Sequence, residues 1–103
     1  MDAERDISID MTADELSAMT REPDVEGLSL SAAALAALES AAPNPVGGRW
    51  VECSMGVALE LLTWAEAGEA RWRSINPAKA ALFHAAVRQV RFGLWRVGEG
   101  PPP

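Results

Sequence analysis

Apolar residues recur between Asn76 and Val97 at alternating steps of four and three: Phe83, Val87, Val90, Leu94 and Val97. That spacing gathers them into one stripe and predicts an amphipathic helix over 77–97. Asn76 offers a side-chain oxygen to cap it, and Pro77 suits the first helical position because its N–H would be unpaired there anyway. Gly98 and the following Pro-rich residues stop it. Upstream, Met55, Val57, Ala58, Leu59, Leu61, Leu62, Trp64 and Ala65 leave only Glu60 and Thr63 as a polar line. A helix over 54–67, capped by Ser54 and closed by Gly68, is therefore expected in the middle of a domain or partly in a subunit interface. The short connection between the two predicts an antiparallel αα-hairpin of 54–67 and 77–97.

The N-terminal half changes period. Ile7, Ile9 and Met11 alternate with Ser8 and Asp10, the period-two pattern of a half-buried strand over 7–11. Thr12-Ala13-Asp14-Glu15 matches a capping box, so a short helix should run from 13 to about 20 and break at Pro23. Leu28-Ser29-Leu30 reads as a very short strand, and Ser31 as the cap of an alanine-rich helix over 32–42. The run 43–48, Pro-Asn-Pro-Val-Gly-Gly, reads as a loop and as the first choice for a mobile one. Arg49–Cys53 has the β-branched and aromatic content of another strand over 49–53. Three times an extended run meets a hydroxyl cap and a helix, at Thr12, Ser31 and Ser54. Shared capping chemistry explains this better than a repeat, since identity between the copies is negligible.

These elements predict an α+β fold, mostly helical, in which short strands pack on the C-terminal hairpin, with an all-α bundle as the alternative. Residues 1–98 are expected to form one globular domain and residues 99–103 a flexible Pro-rich tail.

Charge adds a gradient. Of the net −6, residues 1–26 hold nine acids against two arginines, residues 27–70 five acids against one arginine, and residues 71–103 six bases against one acid. An acidic protein gains no general affinity for phosphate backbones, which argues against nucleic acid as a partner. No apolar run reaches the length of a membrane span, and MDAERD lacks the basic start of a secretory leader. One cysteine, Cys53, forms no intrachain disulfide, so a cytoplasmic setting is expected, with the thiol as a small buried hydrophobe.

Candidate chemistry is sparse. His84 is the single histidine, and no second group at a telling spacing turns it into a general base. Glu60 or Cys53 could meet it only through the fold. No cluster of metal-ligand types and no phosphate-binding or nucleophile motif occurs, so no metal or cofactor is expected. The best functional feature is a second stripe on the C-terminal helix, His84, Arg88, Arg91 and Trp95. Arginine and tryptophan dominate binding hot spots, although a solvated face tied to the chain's own acids has the same composition. Four tryptophans and no tyrosine are more than a small core hides easily.

The sequence thus reads as a small, non-catalytic interaction or regulatory protein acting as a homodimer through its apolar C-terminal helices, or binding an acidic protein partner. The alternative is a small-molecule binder with an apolar pocket walled by Trp64, Phe92 or Trp95. An enzyme acting through His84 is the minor reading.

Overall fold

The computed structural model describes residues 7–21, 28–45 and 47–98. The predicted tail over 99–103 and the break at Pro23 lie outside these residues. The elements run β1 (Ile7–Met11), α1 (Ala13–Arg21), α2 (Ala32–Glu39), β2 (Ala42–Pro43), β3 (Arg49–Cys53), α3 (Met55–Trp72) and α4 (Pro77–Arg96). The fold is α+β, and the antiparallel sheet, ordered β1-β3-β2, sets the all-α alternative aside.

β1 pairs with β3 so that Ile7 faces Cys53 and Ile9 faces Val51. These side chains, with Met11, are buried against the helices. Ser8 and Asp10, opposite Glu52 and Trp50, take the other face. The alternation read from the sequence is therefore the alternation of burial. Phe83, Val87, Val90 and Leu94 of α4 are buried together with Ala58, Leu61, Trp64 and Ala65 of α3. The predicted core seam of the hairpin holds from Phe83 to Leu94; Val97, its expected last member, is the C-cap of α4 and is exposed.

The three hydroxyl caps also hold. Thr12 Oγ1 accepts from the Glu15 N–H at 3.1 Å while Glu15 Oε1 accepts from the Thr12 N–H at 3.1 Å, a reciprocal capping box. Ser31 Oγ accepts from the Ala34 N–H and Ser54 Oγ from the Val57 N–H. Only β1 and β3 among the preceding extended runs are strands; at Leu28 there is an isolated bridge where a short strand was expected.

Two helix ends differ from expectation. α2 stops at Glu39, three residues early, because Ala42 and Pro43 leave the helix to pair with Trp50 and Arg49 at the edge of the sheet. Proline fits there because an edge strand has one N–H row without a partner. Next to it two hydrogen bonds close the chain on itself: the Asn44 N–H donates to the Gly48 carbonyl and the Gly47 N–H to the Asn44 carbonyl. At the other end, Gly68 does not stop α3, which continues to Trp72. A Cβ at Gly68 would lie within 2.8 Å of Phe83 Cγ, so glycine there admits the phenyl ring between the hairpin helices. The connection shrinks to the four residues from Arg73 to Asn76.

α4 lies along the free edge of β1. A Cβ at Gly93 would sit 2.9 Å from the Ser8 carbonyl oxygen, and that oxygen accepts a 2.9 Å hydrogen bond from Arg96 Nη2. The helix thus covers an edge that would otherwise present unpaired backbone groups.

Candidate functional site

α4 begins as its sequence predicts, with Asn76 Oδ1 accepting from the Lys79 N–H at 3.1 Å and Pro77 in the first turn. Along it, positions 84, 91 and 95 share one exposed flank next to α3, 85, 89, 92 and 96 turn toward β1, and 88 lies at the border of the two.

The stripe divides into three kinds of residue. His84 Nδ1 lies 3.0 Å from Glu69 Oε2, which also stands 3.5 Å from Arg73. Arg91 Nη2 donates to Glu66 Oε2 at 2.7 Å. Both bases are therefore tied to carboxylates one helix away, in exposed pairs of the kind worth about 0.2–1 kcal/mol. Arg88 makes no ion pair or hydrogen bond with a described residue. Trp95 is 43% exposed and stacks at a tilt on Phe92, with centroids 5.6 Å apart. Phe92 also carries Arg96, whose Cζ is 5.2 Å from the ring centroid.

Trp64 is elsewhere. It is 2% exposed, and its indole N–H donates to the Met19 carbonyl at 3.1 Å. Its edge borders a cleft of about 60 Å³ beside Leu28–Leu30, Glu60 and Thr63. Phe92 lines a separate depression of about 610 Å³ with Asp10, Ala85, Arg88 and Gln89. The structure thus joins Phe92 to Trp95 and Arg88, and leaves Trp64 in the core.

The partner of His84 is Glu69, rather than Glu60 or Cys53. Glu60 accepts from the backbone N–H of Ser31 at 2.6 Å and from its hydroxyl at 2.7 Å. Cys53 is buried, and that burial pushes its thiol up from an ordinary 9.0 to about 11, away from nucleophile chemistry. Among the described residues no group of three or more His, Cys, Asp or Glu side chains could hold a metal ion. Likewise, no helix among them is long and apolar enough to cross a membrane.

Sequence reasoning missed Asp10, Glu66 and Glu69 as members of this surface. For the two glutamates a signal existed: acids in the second half of α3 and bases along α4 face one another in an antiparallel hairpin. Asp10 carried none, because its approach to α4 depends on how the sheet meets the helix. No protein-family model, curated protein or solved structure matches the chain.

Proposed function

We propose that the protein is a small, non-catalytic interaction protein that acts as a homodimer, joined through the outer face of the α3–α4 hairpin. The observation that carries this reading is the apolar end of that face. Leu59 is 47% exposed, and the helical spacing puts it on the same flank as half-buried Met55 and Leu62. The cross-helix pairs Glu69–His84 and Glu66–Arg91 set the antiparallel ladder. Continued antiparallel, the two helices carry Leu62 and Leu59 toward the end of α4 that bears Trp95.

A second copy is the occupant that suits this patch. A two-fold axis through it would bring the apolar ends together and leave Glu66, Arg88 and Arg91 as a charged rim of both signs, a self-complementary surface. An acidic protein partner would use Arg88 and the rim, but would leave Leu59 uncovered. The reading sets the protein in a reducing, cytoplasmic compartment, in keeping with a single buried thiol.

Light scattering tests it directly. The chain of 11.0 kDa should give a mass near twice that value, and Leu59→Lys should return it to the monomer without loss of helicity. A mass of 11.0 kDa at high concentration would sink the dimer.

A further inference from the structure

On the flank of α4 that turns toward β1, with Arg88 at its border with the hairpin face, we propose a binding site for a free α-amino acid with an apolar side chain. The site is the depression of about 610 Å³ lined by Asp10, Ala85, Arg88, Gln89 and Phe92, a volume within the usual range for small-molecule sites. Its chemistry is specific in one respect. An acid and a base line the same hollow without forming an ion pair with each other, so a gap remains between opposite charges.

Asp10 and Phe92 are each held in place. Asp10 Oδ1 accepts from Asn44 Nδ2 at 3.3 Å, and the Phe92 ring contacts both Trp95 and Arg96. Arg88, by contrast, has its guanidinium uncommitted among the described residues. A zwitterion satisfies both ends at once. Its carboxylate takes the forked guanidinium of Arg88, its ammonium faces Asp10, and its apolar side chain lies on Phe92. A dianion would meet the Asp10 carboxylate, and a simple cation would meet Arg88 and Arg96. The reach of Gln89 adds a carboxamide that serves either charge.

The hollow is open to solvent, so the expected Kd is roughly 1 mM. Amide chemical shifts during titration with L-leucine and L-phenylalanine provide the test. Saturable shifts should concentrate at Asp10, Ala85, Arg88, Gln89 and Phe92. N-acetyl-L-leucine, which lacks the ammonium, and L-leucinamide, which lacks the carboxylate, should each bind about tenfold more weakly. Arg88→Gln and Asp10→Asn should show the same loss for the free amino acid, with an unchanged mass and circular dichroism. The asparagine keeps an oxygen for Asn44; if that variant unfolds, Arg88→Gln and the two blocked ligands decide. Absence of saturable shifts at these amides, equal binding of the blocked ligands, or undiminished affinity in Arg88→Gln would each overturn the proposal. Arg88 also borders the dimer face, so the two readings are kept apart by Asp10→Asn and the blocked ligands, which leave that face untouched, and by the mass of Leu59→Lys, which leaves this hollow untouched.

Discussion

Gly56 and Gly68 stand on the same helix and respond oppositely to an added methyl group. At Gly56 the nearest foreign atom to a Cβ is Ser54 Oγ at 4.0 Å, so alanine gains helix propensity at no steric loss. Gly56→Ala should raise stability by about 0.5–1 kcal/mol. At Gly68 the same methyl meets the fully buried Phe83 ring, and Gly68→Ala should lower stability by roughly 1–3 kcal/mol despite the better propensity. Urea denaturation of the two variants checks both signs. From sequence Gly68 has the look of a helix stop, because glycine's role there is set by a ring fifteen residues on. Cys53 supplies a second prediction at this scale. Its folded-state pKa, raised to about 11, exceeds the ordinary 9.0, so its contribution is complete below pH 9 and is lost as pH rises toward 11. Through that window the wild type should lose on the order of 2–3 kcal/mol relative to Cys53→Ala, read from paired denaturation curves at pH 8 and pH 11.

Elements were legible where period and cap agree. β1 and α4 each carry a clear hydrophobic period, β3 its β-branched and aromatic content and α3 its nearly all-apolar run, and Thr12, Ser31, Ser54 and Asn76 mark four helix starts that the structure confirms by hydrogen bonds. β2 was not legible. Alanine and proline have little strand propensity, and Ala42–Pro43 becomes a strand only because the hydrogen bonds that close Asn44 on Gly48 fold it back on β3. The start of α2 depends on another element as well, since both donors of Ser31 end on Glu60 of α3. Glu60→Ala should therefore loosen α2 locally, with a loss of about 1 kcal/mol for charge-assisted bonds at a partly exposed site. Amide exchange should quicken over Ala34–Leu38 and stay unchanged over Phe83–Val90. Equal acceleration in both helices would show that Glu60 supports the fold as a whole and not the cap.

At the scale of the molecule, what the sequence could not carry is adjacency. The stripe on α4 was visible, yet whether its bases were committed depended on Glu66 and Glu69 lying one helix away. The same uncertainty covered Trp64, which a count of tryptophans cannot distinguish from Trp95. Both flanks of α4 are predicted to be used, one by a second chain and one by a small ligand. Their independence is itself measurable: Leu59→Lys should abolish the dimer and leave the leucine titration at Asp10 and Phe92 unaltered. Coupled loss of the two would mean that Arg88, which borders both, is shared between them.

The cover that α4 gives to β1 has a consequence for the order in which the chain is made. β1 precedes β3 and can pair with it as soon as Arg49–Cys53 has emerged, but its outer edge gains Gly93 and Arg96 only when α4 has left the ribosome. Until then the nascent protein carries a strand with an open side and an unpaired α3. A chain ended after Ile75 should therefore join edge to edge with its neighbours and precipitate, while the full chain stays dispersed.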